Sequence, residues 1–412
     1  MAAYALMSTR TRLWIVIVTA PVLAFTIIGG YLGRVTAQGG AYRHLRVFDD
    51  VVNLITSNYV EEVDLSKVMR GALRGLAEGL DGDSAYFSPE QVRAGFGTGT
   101  PAPSGDIGVE LTRQYYLRIV AVHDQSPAAR AGLMAGDFVR AIEGRPTREL
   151  SAIEGQRSIR GAPGSKVVLT IIRGNTADPH DVTVTREAPA WPAVTARMLD
   201  AGTGLVRIAA FPPRVAEQVR ARVKDLAAGG ASRFVLDVRN AAAGEYDQGI
   251  AVARLFVRTG TLAIREDREG SRTTIAAGPG DGQVTAPVVV LADGGTSGPA
   301  ELLAGALGGN HRAELVGERT AGRVAIQRLI RLPDGGGLWL SHAWYRTPAG
   351  NVIHERGLPP DVGVEAPDFD FGAPPPQRDA VLEKGLERLS ARGPESAPAR
   401  EPPGARPPNP GS

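Results

Sequence analysis

The chain has 412 residues, of which 43% are hydrophobic and 22% charged, enough for two or three domains with real cores. Its 46 basic and 44 acidic residues leave a formal net charge of +2, without the basic stripe or aromatic-basic interleaving that nucleic-acid binding needs. Cysteine is absent, which excludes thiol nucleophiles, disulfides and thiolate metal sites together.

In chain order, Arg10 and Arg12 precede the nearly uncharged run Leu13–Gly33, which is close to membrane-spanning length. Basic residues ahead of such a run favour an N-in orientation. Residues 1–40 are therefore expected to be a transmembrane anchor or a signal segment cleaved near Ala37. Either reading puts the body outside the cytoplasm, on the periplasmic face of the membrane or secreted. Over residues 41–100, Phe48, Val51, Val52, Ile55 and Tyr59 recur at helix spacing. A second helical run, "LSKVMRGALRGLAEGL", has Asp64 and Ser66 where a cap belongs. The helical pattern extends to about Glu90, and Gly97–Gly105 reads as a linker.

Residues 101–187 change to short alternating or apolar runs, "IGVEL", "YLRIVAV", "DFVRAIEG", "KVVLTIIRG" and "DVTVTRE". They predict five or six strands with one or two helices, among them the short helix "SPAARAGL" that stops near Gly132. Residues 188–368 alternate strands ("GLVRIAAF", "RFVLDVRN", "APVVVLA", "AELVGE", "GLWLSHAWYR") with helices ("PRVAEQVRARVKDLAAGG", Gln248–Val257, "PAELLAGALGG"). Such alternation predicts a largely parallel sheet covered by helices. Residues 369–412 hold a helical run, "AVLEKGLERLS", and a Pro-, Gly- and Ala-rich end that cannot build a core. The expected fold class is α/β, or α+β taken over all the domains.

Several longer stretches occur in a specific order: "NYVEEVDLSKVMRGALRGLAEGLDGDSAYFSPE", "GDIGVEL", "RFVLDVRNAAAGEYDQGIAVARLFVRTG" and "ELVGERTAGRVAIQRLIRLPDGGGLWLSHAWYRTPAGNVIHERGLPPDV". Together they resemble the carboxyl-terminal processing peptidases, the tail-specific proteases of the S41 serine peptidase family, over roughly residues 42–366. The resemblance implies a PDZ domain at 101–187, a ClpP/crotonase-like core at 188–368, and endopeptidase activity near protein C-termini. It makes Asp106, Ile107, Gly108 and Val109 the carboxylate-binding loop, whose N–H groups hold a C-terminal carboxylate while the peptide adds a strand; a spacer that binds nothing is the alternative. Asp83 stands in the family's histidine place. Asp237, Arg239, Asn240 and Gly244 match the loop near the oxyanion region, whereas Ala241, Ala242 and Ala243 replace its Asn-Pro-Gly.

The resemblance also locates the Ser-Lys dyad. Anchored on Gly295 and Glu301, the family nucleophile falls on Gly298 and the base on Arg323, with Gln327 in the supporting position. Glycine offers no hydroxyl. Arginine stays protonated near neutral pH, whereas a dyad lysine works because burial can make its amine neutral. Ser297, one residue early, is the alternative nucleophile. A helical residue step turns its side chain by about 100 degrees, and His311, His342 and His354 have no spacing that places them beside it. Ser297 is accordingly expected to be a turn or helix-capping serine, and Arg323 to hold a peptide carboxylate or an acid such as Glu301. No metal signature or cofactor motif is found.

The expected function is a catalytically impaired family member that binds protein C-termini or unfolded polypeptides through its PDZ domain. An active protease relative, a second copy of the chain and the membrane are further expected partners. An active serine endopeptidase with a rearranged centre and a non-catalytic envelope scaffold are the competing readings.

Overall fold

A computed structural model describes Thr19 and residues 44–96, 104–174, 178–190, 192–365 and 378–391. Apart from Thr19, the apolar run Leu13–Gly33 lies outside the described residues, as do most of the linker and the C-terminal end. Among the described residues no helix is long and apolar enough to cross a membrane. The chain divides into two compact units, Met1–Leu73 and Arg74–Ser412.

Helix α1 (44–58) leaves Leu45, Val51 and Leu54 exposed. Helix α2 (Leu65–Glu78) starts where the Asp64 carboxylate accepts the Lys67 N–H at 3.2 Å, so the expected cap falls on Asp64. The helical pattern read up to Glu90 is broken by strand β1 (Ala85–Phe87), followed by α3 (Pro89–Phe96). Helical periodicity misses this strand because all three of its residues are buried and pair antiparallel with a distant strand, Gly337–Arg346.

The PDZ module runs β2 (Val109–Gln114), β3 (Tyr116–Val122), α4 (Pro127–Arg130), β4 (Phe138–Ile142), β5 (Arg145–Pro146), α5 (Ala152–Ser158), β6 (Lys166–Ile172) and β7 (His180–Thr185). The antiparallel sheet has the order β2-β3-β4-β6-β7, with β5 on β4. Alternate residues of β6, namely Val167, Leu169 and Ile171, are buried with Ile107, Leu117 and Ile119, as a half-covered sheet requires. Helix α4 begins at Pro127, with the Ser126 hydroxyl accepting the Ala129 N–H at 3.1 Å. It stops before Gly132, whose φ of +77° ends the turn.

The core domain follows as β8 (Val194–Met198), β9 (Thr203–Ile208), β10 (Ala210–Phe211), α6 (Val215–Ala228), β11 (Arg233–Asp237), β12 (Ala243–Gly244), α7 (Tyr246–Phe256), β13 (Thr261–Asp267) and β14 (Arg272–Ala276). It continues with β15 (Val288–Ala292), α8 (Pro299–Gly309), β16 (Ala313–Gly317), β17 (Ala325–Arg331), β18 (Gly337–Arg346), β19 (Val362–Gly363) and α9 (Ala380–Ala391). The expected parallel sheet has the order β19-β16-β15-β11-β9-β8, parallel throughout except at β8. Its central strand β15 is wholly buried, so it reads as one apolar run. A second sheet, β1-β18-β13-β14 with β17 on β18, brings the segment around residue 85 onto the core. Helix α8 is buried from Pro299 to Leu307. It is apolar on all sides because it is enclosed on all sides.

Candidate functional site: the turn before α8 and the Asp83–Arg323 ion pair

The turn joining β15 to α8 is held by its own polar groups. Asp293 accepts the N–H of Asn240 at 2.9 Å, the N–H of Gly295 at 3.0 Å and the Thr296 hydroxyl at 3.1 Å. The Thr296 hydroxyl also accepts the Asp293 N–H at 3.0 Å and donates to the Val238 carbonyl at 2.9 Å. Burial pushes the Asp293 carboxyl up, with the Asp237 charge adding to it and these donors opposing it.

Ser297 is 2% exposed, and its N–H donates to the Ala241 carbonyl at 2.9 Å. The expected cap does not fall on this serine. Glu301, fully buried in the first turn of α8, reaches back to the Gly298 N–H at 3.0 Å. It also accepts the N–H groups of Gly322 at 2.7 Å and Arg323 at 2.8 Å, and the Thr320 hydroxyl. Burial raises its carboxyl above the ordinary range against all four donors.

Gly298 adopts φ 59° and ψ −116°, outside the small left-handed region open to L-residues. This is the kind of strained strand-to-helix turn that displays a nucleophile in other hydrolases. A Cβ there would meet the Arg323 carbonyl and the Tyr246 ring at 3.6 Å and the Ala242 carbonyl at 3.7 Å, all ordinary contacts. The turn therefore has room for a side chain at this glycine. The next residue is Pro299, which has no N–H, although the amide after a nucleophile is a usual oxyanion donor. The Gly298 N–H is itself committed to Glu301.

Arg323 and Asp83, 240 residues apart, form a bidentate ion pair: Nε to Oδ2 at 3.1 Å and Nη2 to Oδ1 at 2.7 Å. Their side chains are 26% and 13% exposed. The Thr112 hydroxyl, on β2 of the PDZ module, donates to Asp83 at 3.3 Å. Burial opposes ionisation of Asp83, but the Arg323 guanidinium outweighs it and holds the carboxyl below its usual range. Burial works against the Arg323 charge too, and Asp83 more than compensates, so the guanidinium stays protonated. Glu301, the acid considered for Arg323 in the sequence, takes its backbone N–H instead. Tyr246 donates to the Ala325 carbonyl at 2.8 Å, and burial raises its phenol. Gln327 lies on β17 at a register shift opposite Ser341.

Of the three histidines, His354 stacks near Trp344 at 6.0 Å between ring centroids and lies within electrostatic reach of Asp83. His342 is on β18, and His311 takes φ 56° after α8. The loop Asp237–Gly244 is fixed by Arg239, which bridges Asp237 at 2.7 Å and Asp379 at 2.8 Å. Gly244, at φ +123°, packs its α-carbon against the Phe211 carbonyl, where a Cβ would collide. A second bridge, Arg207 to Asp124 at 2.9 Å, joins the core to the PDZ module.

In the PDZ loop, the N–H groups of Ile107 and Gly108 both donate to Asp106 Oδ1, at 2.7 and 3.0 Å. The Val109 carbonyl accepts Gln156 Nε2 from α5 at 2.9 Å. Two features of these sites escaped the sequence reading. Pro299 was legible there as a residue without an amide, but the Asp83–Arg323 pairing had no signal beyond two separate departures from the family text. Among the described residues no cluster of His, Asp or Glu could hold a metal ion.

Comparison with known proteins places both domains. The profile for Peptidase family S41 matches residues 202–364, and that for the PDZ domain residues 118–173. A carboxy-terminal-processing protease of Bartonella bacilliformis is 30% identical over 336 residues, 80% of this chain and 77% of that one. The carboxy-terminal processing protease CtpA of Bacillus subtilis is 28% identical, over 86% of this chain and 76% of that one. The solved photosystem II D1 C-terminal processing protease superposes with a TM-score of 0.65 at 28% identity, covering 75% of this chain and 85% of that one.

Proposed function

This chain belongs to peptidase family S41, and we propose that within the family it holds polypeptide beside its core without hydrolysing it. The observation that carries this reading is the Asp83–Arg323 ion pair at the place of the general base. A base must be neutral to accept a proton, and a guanidinium paired with a carboxylate is locked in the charged form. Two further departures support it independently: glycine at the nucleophile position and a proline in place of the following amide. The PDZ module, tied to the same spot through Thr112, is the element left to bind polypeptide. The run Leu13–Gly33 behind Arg10 and Arg12 supports an extracytoplasmic setting, with the segment as anchor or signal.

The test is cleavage of unfolded casein by the purified chain, alongside Ser297→Ala and a folding check by circular dichroism. The expected result is background cleavage by both proteins and retention of casein by both. Cleavage by the wild type that vanishes in Ser297→Ala would make Ser297 a nucleophile and overturn the proposal.

A further inference from the structure

The PDZ loop carries a feature that separates this module from a reader of free C-termini. A carboxylate-binding loop works by leaving adjacent backbone N–H groups unpaired and convergent, so that a ligand anion completes them. Here two of these N–H groups converge on an anion that the loop itself supplies. The Ile107 and Gly108 N–H groups meet on one oxygen of Asp106, at 2.7 and 3.0 Å, and Arg160 Nε holds the other oxygen at 3.0 Å. The Asp106 residue is 7% exposed. Its backbone is pinned as well, with its N–H donating to the Glu187 carbonyl at 2.8 Å and the Glu187 N–H returning to the Asp106 carbonyl at 2.9 Å. The Ile107 and Gly108 carbonyls accept the N–H groups of Ala128 and His123, both at 2.9 Å. The loop is held from both sides.

An incoming carboxylate would therefore find the N–H groups of Ile107 and Gly108 already taken and a fixed anion in the position it needs. Displacing Asp106 would leave that carboxylate buried beside the ligand's own, a like-charge contact that discriminates strongly. An internal segment meets no such obstacle, since it brings no terminal charge to the loop. We infer that Asp106 makes the PDZ module select polypeptide segments whose chain continues past the loop, and reject free C-terminal carboxylates. The inference rests on the polypeptide-binding reading above and names the class of segment bound.

The experiment uses the full-length chain and one fluorescently labelled, apolar-ended peptide made as the free acid and as the C-terminal amide. Fluorescence anisotropy gives the acid-to-amide affinity ratio. The wild type should bind the amide at least as well as the acid. Asp106→Gly, which frees both loop donors and removes the charge, should shift the ratio towards the acid by about tenfold. Asp106→Asn, which keeps an acceptor in place but loses the charge, should shift it less. It stands in should the glycine variant fail to fold. A wild type that prefers the acid tenfold, or a ratio that does not move in either variant, overturns the role of Asp106. Retention of unfolded casein by the wild type is scored separately, so loss of the polypeptide-binding reading is distinguished from loss of the selectivity.

Discussion

In the PDZ loop at 105–109 and in the core turn at 293–301 alike, backbone N–H groups gather on carboxylates of the chain's own. The two regions differ in how many positions are involved. In the PDZ loop one side chain, Asp106, takes the N–H groups of the two residues after it. The core differs from the family text at four positions drawn from three segments: Asp83, Gly298 with Pro299, and Arg323. Recognition that hangs on a single carboxylate can be reopened by a single substitution. On the proposed reading the core differs at nucleophile, base and oxyanion donor separately, and no single substitution restores it, because such groups act as a unit and each loss is nearly complete by itself.

The strongest way to break this contrast is to restore the core one group at a time. Gly298→Ser alone should leave casein cleavage at background, as should Arg323→Lys alone. A lysine facing Asp83 would stay protonated through the same ion pairing that holds the arginine. Cleavage should emerge only when Asp83→His, Gly298→Ser, Pro299→Ala and Arg323→Lys are combined. The gain over any set lacking one member should be at least about a hundredfold, the usual cost of a single missing oxyanion donor. Robust activity in Gly298→Ser alone would mean that the remaining centre is intact, and the contrast between the two regions would collapse.

A smaller effect is expected from unpairing the clasp. Arg323→Gln leaves Asp83 largely buried without its cation, and Asp83→Asn leaves the guanidinium without its anion. Each should cost roughly 2 kcal/mol in urea unfolding, between the values for exposed and fully buried pairs. The double variant should cost less than the sum of the two. Additivity would show that the side chains do not depend on one another. The same pair sets an acid dependence. The folded Asp83 carboxyl titrates below its unfolded value of about 3.9. Its contribution is therefore present above about pH 4 and is lost as pH falls through the folded value. The acid limb of stability against pH should be shallower in Arg323→Gln; an unchanged limb would assign the acid sensitivity to other carboxylates.

Most of the architecture was legible because it rests on periodicity and punctuation. The buried run of β15, the capped α4 and the strand alternation of the core are all local statements. Strand β1 was not legible, since its three residues become a strand only through pairing with residues 337–339. The site divides the same way. Gly298 and Arg323 could be located by spacing, because the turn and the segment around residue 323 keep the family's distances. The partner of Arg323 could not be located, because a contact across 240 residues leaves no local pattern. Asp106 lay in plain view within a recognised loop. What the sequence hides is the direction of its side chain, which folds back onto the two N–H groups after it.

The smallest effect separates backbone strain from lack of space at Gly298. At Gly244 the two coincide: φ is +123° and a Cβ would collide with the Phe211 carbonyl. At Gly298 the dihedrals are unfavourable for an L-residue, yet the nearest atoms to a Cβ lie at 3.6–3.7 Å. Gly298→Ala should therefore cost only the conformational term, about 1–2 kcal/mol, with casein retention unchanged. A much larger loss would mean that the turn no longer tolerates any side chain, so that the position had been remodelled beyond losing its hydroxyl. A cost near the expected value would mean that the core still keeps a nucleophile's strained backbone with nothing mounted on it. In that case Gly298→Ser in the combined variant starts from a correctly shaped turn, and the burden of restoring cleavage falls on residues 83, 299 and 323.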